Sequence, residues 1–258
     1  MSTYICNICG AMNTNGGIQI HRELVPCAGC GSNARFRAIV LTLSYGLTGK
    51  LHCLNDIKPD QTISGFGCSD SEVYASRLRR LFNYKNTFLH GDPPVDITNR
   101  STLGNFGDSS FIICSDVIEH TFEPPAVALR NLYDTLAPSG ILILSAPTFA
   151  FPMSVERYPS LRSYQTVTFG ERHTVVYETK FGSLGFDAEP RFHGGPGQIL
   201  EMRVISHAQL TTELLEVGFR SVDTLGDSFD EFGATWPPMI ERTDLPFTLD
   251  GRVILARK

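Results

Sequence analysis

The stretch "FIICSDVIEHTFEPPAVALRNLYDTLAPSGILILSAPT", Phe111 to Thr148, decides the fold. Its first part, "SFIICS" (Ser110–Ser115), is an apolar run of strand length, and "GILILSAP" (Gly140–Pro147) is another. Between them, "PPAVALRNLYDTLA" (Pro124–Ala137) has the spacing of an amphipathic helix. Near-continuous apolar strands alternating with such helices imply a parallel sheet covered on both faces.

The same alternation runs outward in both directions. Upstream, "TISGF" (Thr62–Phe66) reads as a strand, "DSEVYASRLRRLF" (Asp70–Phe82) as a helix, "KNTFL" (Lys85–Leu89) as a strand and "PVDI" (Pro94–Ile97) as a short one. Downstream, "SHAQLTTELLEVGF" (Ser206–Phe219) is a helix ended by Gly218, "RSVDTLG" (Arg220–Gly226) a strand and "GRVILARK" (Gly251–Lys258) a terminal strand. The expected fold is α/β, with a doubly wound, mostly parallel seven-stranded sheet whose ligands sit at the carboxyl ends of the strands. The region of about 149–205 is far longer than the roughly 2–6 residues of an ordinary strand-to-helix link, so it is expected to be an insertion serving as lid, dimer contact or substrate wall. It carries "ERHTVVYETKFG" and "RFHGGPGQ", with five aromatics from Phe169 to Phe192. His173 and His193 are the side chains in it of a type suited to acid–base work near neutral pH, and a turn at Gly194, Gly195 and Pro196 would present His193 to a pocket.

The 258 residues suffice for one α/β domain plus a small appendage. Formal net charge is −5, with +3 on the first fifty residues and −8 on the remainder, and no Lys/Arg run occurs. That distribution argues against nucleic acid as a partner. No apolar stretch approaches the ~18 residues of a membrane span, and the N-terminus lacks signal-peptide features, so a cytoplasmic chain is expected.

Four of the seven cysteines form two knuckles, "CNIC" (Cys6, Cys9) and "CAGC" (Cys27, Cys30), separated by seventeen residues. Two such turns face to face supply the tetrahedral thiolate set that Zn²⁺ favours, and a filled set has no open position, so a structural zinc is expected. Cys53, Cys68 and Cys114 stand singly in apolar surroundings and read as inert. The divisions are a zinc ribbon at 1–31, a connecting helix at 32–50 and the main domain at 51–258. "SNARFRAIVLTLSYGL" (Ser32–Leu47), opening on a cap-type residue, forms the connecting helix with apolar Phe36, Ile39, Val40, Leu43 and Leu47. The metal is expected to lie far from the reaction centre.

Taken in order, "GFGCSD" (Gly65–Asp70), "DVIEH" (Asp116–His120) and "LAPSGILILSAP" (Leu136–Pro147) resemble the class I S-adenosylmethionine-dependent methyltransferases, especially their ubiquinone/menaquinone-biosynthesis-like branch. The resemblance covers roughly Thr62 to Pro147. The third loop glycine is missing, and Ser64 stands where that family usually carries an acid. The N-terminal "CNICG" and "CAGCGSNARFRAI" are similar to bacterial methyltransferases with a zinc ribbon directly before the catalytic domain.

The resemblance implies a Rossmann-like catalytic domain with S-adenosylmethionine as cofactor. Gly65 and Gly67 would let the cofactor's amino-acid part approach the backbone, with Ser69 and Asp70 beside it; Asp70 has helix capping as its other role. Asn86 and Asp92 are the candidates for the ribose, and Asp96 with Ile97 for the adenine. Ser115, Asp116 and Val117 would lie beneath the sulfonium, and His120 joins them unless it and Glu119 brace the next helix. Methyl transfer is an in-line displacement, so alignment of acceptor and methyl carbon is the main task, with a base needed only where the acceptor must lose a proton. His193 is expected in that role, ahead of His173 and Asp116. The expected function is methylation of a small-molecule acceptor, at oxygen, on a sugar-containing or natural-product compound. An RNA methyltransferase with a zinc module and a non-catalytic methyltransferase-fold binding protein are the alternatives.

Overall fold

The computed structural model describes residues 3–16, 22–23, 25–193, 199–225, 228–235, 245 and 249–258. The chain opens with an antiparallel pair, β1 (Thr3–Ile5) and β2 (Met12–Thr14), whose connection carries the first Cys knuckle. Helix α1 (Ala34–Thr48) follows the second knuckle. Its cap is Asn33 rather than the preceding Ser32: the Asn33 side chain accepts from Phe36 N at 2.9 Å, and Gly49 ends the helix at φ 72°.

The main unit runs through β3 (Ser64–Cys68), α2 (Glu72–Leu81), β4 (Asn83–Thr87), β5 (Ser109–Ser115), α3 (Pro125–Thr135) and β6 (Leu136–Ser145). The insertion builds small sheets of its own. In chain order its strands are β7 (Thr148–Phe149), β8 (Val155–Glu156), β9 (Leu161–Phe169), β10 (Arg172–Thr179), β11 (Leu184–Asp187), β12 (Phe192–His193), β13 (Ile199–Leu200) and β14 (Arg203–Ser206). β9, β10 and β11 form an antiparallel meander, β12 pairs with β13, and β14 lies between β7 and β8. The chain then returns through α4 (His207–Val217), β15 (Ser221–Thr224), a short pair β16 (Ser228–Phe229) and β17 (Ala234–Thr235), and β18 (Ile254–Arg257).

Among the described residues the central sheet has six strands, not seven, in the order β15, β18, β6, β5, β3, β4. β18 alone runs against the rest. The expected short strand at 94–97 contributes only an isolated bridge, Phe88 to Pro94. Pro93 and Pro94 have no N–H to give a ladder, which stops pairing there.

Alternation along β5 and β6 sorts their side chains onto two covered faces. Phe111, Ile113 and Ile143 join α1 and α2 through Ile39, Leu43, Tyr74 and Leu78. Ile112, Cys114, Leu142 and Leu144 join α3 and α4 through Leu129, Leu132, Leu210 and Leu214. Each fully buried aliphatic or aromatic side chain contributes about 1.5–3 kcal/mol to such a core. Tyr4, Cys6, Ile8 and Cys27 belong to the first cluster, so the divisions expected at 31/32 and 50/51 pass through continuous apolar packing. Fully buried Arg37 of α1 strengthens this junction: it donates to Gly233 O at 2.9 and 2.7 Å and lies over the Tyr4 ring. No helix among the described residues is long and apolar enough to cross a membrane.

The chain leaves β3 toward β4 on one side and returns to β5 on the other. The crevice beyond the carboxyl ends of β3 and β5 is therefore a topological switch point, where ligands of such sheets bind.

Candidate active site

The loop leaving β3 is held by buried polar groups. Asp70 N donates to Asn86 Oδ1 at 2.8 Å, Asn86 Nδ2 donates back to Asp70 O at 2.7 Å, and Ser69, at φ 61°, donates its N–H to Thr87 O. Asn86 is thus engaged in clamping the loop rather than free to hold a ribose. Ser71, not Asp70, caps α2. The Asp70 carboxylate is buried, accepts from Tyr84 Oη at 2.5 Å, and leaves Oδ1 without a partner. Burial pushes its carboxyl up to about 7, against the Tyr84 and Tyr74 hydroxyls, which favour the ionised form.

The two glycines have packing reasons for their identity. A Cβ on Gly65 would lie 2.6 Å from the Phe111 ring, and one on Gly67 would lie 2.0 Å from Asp70 Oδ2 and 2.1 Å from Tyr84 Oη. Absence of a side chain at Gly67 makes room for the Asp70–Tyr84 bond, a different cause from the cofactor approach expected above.

Beyond β5, Asp116 stands at φ 54°, a left-handed conformation that Asp tolerates, with its N–H on Ser145 O. One nitrogen of Arg22 donates to both its oxygens, Ser145 Oγ donates to Oδ1 at 3.1 Å, and Arg35 Nη1 lies 3.5 Å from Oδ2. Burial opposes ionisation, but the two guanidiniums outweigh it and hold the carboxyl down at about 2. Such a group is a fixed anion and a poor general base near neutral pH, which corrects the catalytic role expected for it. The arginines come from the N-terminal segment and α1, so both supply charge directly to the end of β5.

Glu119 and His120 follow on a single 3-10 turn, Ile118–His120. His120 Nδ1 lies 2.9 Å from Leu200 O, and its ring meets that of His193 edge-on, with centroids 5.2 Å apart. Burial pushes the Glu119 carboxyl well above its ordinary range and pushes the His120 imidazole down.

Asp70, Asp116, Arg35, His120 and His193 share a cavity of about 550 Å³, within the roughly 300–1,000 Å³ of small-molecule sites, whereas Glu119 and Arg22 do not line it. Cys68–Ser71, Val95–Thr98 and Ser115–Val117 line one side, while Tyr164, His193, Ile199, Leu200 and Met202 of the insertion line another. Asp96 lies on the wall with Oδ1 taken by Thr98 N and Oγ1, and Ile97 is buried beside it, its carbonyl held by Asn131. Asp92 is exposed and outside the lining; half-buried His173 is also outside it, its Nδ1 3.0 Å from Thr168 Oγ1 within the meander. The expected turn at Gly194–Pro196 lies outside the described residues.

The four knuckle cysteines also converge. Cys6 and Cys30 Sγ are 3.7 Å apart, and Cys9 and Cys27 Sγ are 3.6 Å apart. Tetrahedral thiolates at the ~2.3 Å of a Zn–S bond stand about 3.8 Å apart, so the set fits that ion.

No family model matches this chain, and no curated protein matches it. Among solved structures it is similar to DesVI of Streptomyces venezuelae, at 10% identity over 85% of this chain and 91% of that one, with a TM-score of 0.43. It is also similar to CalS10 of Micromonospora echinaspora, an amino pentose methyltransferase with bound S-adenosylmethionine, at 11% identity over 89% and 94%, with a TM-score of 0.43. The 1,6-didemethyltoxoflavin-N1-methyltransferase of Burkholderia thailandensis shows 12% identity over 91% and 92%, with a TM-score of 0.42. With scores this low, the functional reading rests on the chain's own residues.

Arg22, Arg35, Tyr84 and Met202 escape sequence reasoning. Arg22 lies 94 residues from its partner and no local pattern links them. "DVIEH" did carry a signal for Glu119.

Proposed function

We propose that this chain is an S-adenosylmethionine-dependent methyltransferase acting on a small-molecule acceptor, at oxygen, of the sugar-containing or natural-product kind. One observation supports it above the others: the loop after β3, the 95–98 segment and the end of β5, to which the methyltransferase resemblance assigns the cofactor, converge on one cavity whose opposite wall is the insertion. When bound, the cofactor supplies a methyl group on a sulfonium, ready for in-line displacement.

This chain's residues do the positioning. Asp70, on the cavity wall, carries an acceptor suited to an ammonium donor, and ionisation of Asp70 would then be favoured by the ligand. Asp96 and Ile97 form the polar and apolar edges of a slot for a planar base. Asp116, a fixed anion between two arginines, sets the field at the end of β5, while Tyr164 stacked on Phe122 and the His120–His193 pair face the acceptor. The Cys quartet holds a structural zinc in this reading.

Calorimetric titration with S-adenosylhomocysteine, then incubation with labelled S-adenosylmethionine and separate pools of total RNA and small-molecule extract, tests the proposal. Saturable binding and label in the small-molecule pool are expected. Absence of binding overturns the cofactor, and label confined to RNA overturns the acceptor class.

A further inference from the structure

Glu119, His120 and His193 each offer one ligating atom, and the three atoms lie within 4.8 Å of one another. The bonding of His120 determines what it offers. A carbonyl only accepts, so the contact with Leu200 O places the ring proton on Nδ1 and leaves Nε2 as a lone pair. That Nε2 is buried, has no partner, and stands 3.7 Å from Glu119 Oε1. The Glu119 side chain is 4% exposed, the His120 side chain 9%, and Glu119 Oε2 also lacks a partner. His120 Nε2 and Glu119 Oε2 are thus buried polar atoms without a partner, an arrangement that costs free energy and that a bound cation would relieve.

We propose that Glu119, His120 and His193 bind one divalent first-row transition ion where His120 and His193 line the cavity. Two imidazoles and a carboxylate make a mixed nitrogen–oxygen set that leaves coordination positions open. Ligands at ~2.0–2.2 Å from such an ion stand roughly 3–4.3 Å apart, so the present spacing closes with side-chain shifts under ~1 Å. An imidazole whose second nitrogen donates to a backbone carbonyl is oriented as metal-bound imidazoles are. Charge is compatible: Arg22 and Arg35 pair with Glu23 and Asp116, so these two cations are already balanced before an ion enters.

What the ion does rests on the methyltransferase reading. An acceptor hydroxyl coordinated in an open position gives its proton to water more readily. The oxygen then bonds to the methyl carbon as the carbon–sulfur bond breaks, and that bond's electron pair stays on sulfur to give the thioether. His193 is then a ligand, not the base.

Manganese(II), which disfavours thiolates, separates this site from the Cys quartet. Zinc-loaded full-length chain is titrated with Mn²⁺ alone and followed by electron paramagnetic resonance. One Mn²⁺ per chain is expected, lost in Glu119→Gln and weakened in His193→Ala by at least the ~10–100-fold that outer-shell changes cost. Should Glu119→Gln not fold, the exposed position of His193 keeps the second variant decisive. No saturable Mn²⁺ binding, or equal binding by wild type and a folded variant, overturns the site. Separate calorimetry with S-adenosylhomocysteine distinguishes the two readings: Mn²⁺ binding without it leaves the ion site standing and the methyltransferase reading lost, and the reverse result removes the ion site alone.

Discussion

Arg22 Nη2 donates to both carboxylate oxygens of Asp116, at 2.5 and 2.7 Å, so a residue that lies between the two Cys knuckles in sequence is bound at the end of strand β5. Both side chains are buried, and Asp116 owes its low pKa, about 2, to Arg22 and Arg35. Because the folded pKa is depressed, the pair's stabilisation is present above the unfolded value of ~3.9 and is lost as pH falls toward about 2. Arg22→Met should destabilise the chain by about 2–3 kcal/mol in urea unfolding, less than an isolated buried pair because Arg35 remains. In a double-mutant cycle with Asp116→Asn, coupling on the order of 1–3 kcal/mol is expected, and additive effects would mean that the contact carries no energy.

The Cys quartet shares its apolar cluster with Tyr74 and Phe111, and its intervening segment supplies Arg22. Loss of the quartet should therefore reach the cavity, in contrast to what two separate modules would show. Cys6→Ser or Cys27→Ser is expected to lower the melting temperature and weaken S-adenosylhomocysteine binding at least tenfold, since metal binding and folding are coupled. A variant that has lost its metal yet titrates like wild type would establish that the two regions are energetically independent.

At Gly67 the prediction is steric. The backbone there is extended, within β3, so alanine meets no conformational penalty; its Cβ instead falls onto Asp70 Oδ2 and Tyr84 Oη. Gly67→Ala should cost about 2 kcal/mol or more by breaking a buried hydrogen bond, and cofactor-analogue affinity should fall with it. Gly104→Ala, where nothing lies within 4 Å, should stay within about 0.5 kcal/mol of wild type. Equal denaturation midpoints for the two variants would show that the loop relaxes around the methyl group.

The elements that sequence disclosed are those whose causes are local. Apolar runs at "FIICS" and "ILIL", helical spacing in 124–137 and the paired knuckles each report their own structure, because burial periodicity and ligand spacing act over a few residues. Ser115, Asp116, Val117 and His120 reached the cavity because the end of β5 delivers them there, and Asp96 and Ile97 reach it from the loop between β4 and β5. What stayed hidden depends on partners distant in sequence. The reason for Gly67 lies in Tyr84, and the state of Asp116 lies in Arg22. Whether the ring proton of His120 sits on Nδ1 is decided by Leu200, 80 residues away. The 94–97 segment misled because its strand-like apolar pattern is cancelled by prolines that cannot pair.

Asp70 supplies the sharpest pH test. Its carboxyl is pushed up to about 7 by burial, whereas an unfolded Asp titrates near ~3.9. Across that interval the folded state binds a proton that the unfolded state lacks, so folding stability falls as pH rises, by at most ~1.4 kcal/mol per pH unit, and levels off above the folded value. The neighbours that face Asp70 do not titrate there: Tyr74 and Tyr84 are raised well above 10, Arg35 is raised further, and Glu72 is lowered by Arg79. Glu119, also raised by burial, contributes with the same sign in any version of the chain, so the measurement is the difference between wild type and Asp70→Asn, whose amide can still accept from Tyr84. Relative to the variant, wild type should lose about 2–3 kcal/mol between roughly pH 5 and pH 7.5 in urea unfolding. Parallel profiles would mean that Asp70 is already ionised in the fold. If the partner of Oδ1 is the ammonium of the bound cofactor, the same proton must leave on binding. S-adenosylhomocysteine affinity should then rise with pH by up to about tenfold per unit below pH 7 in wild type, and stay flat in Asp70→Asn.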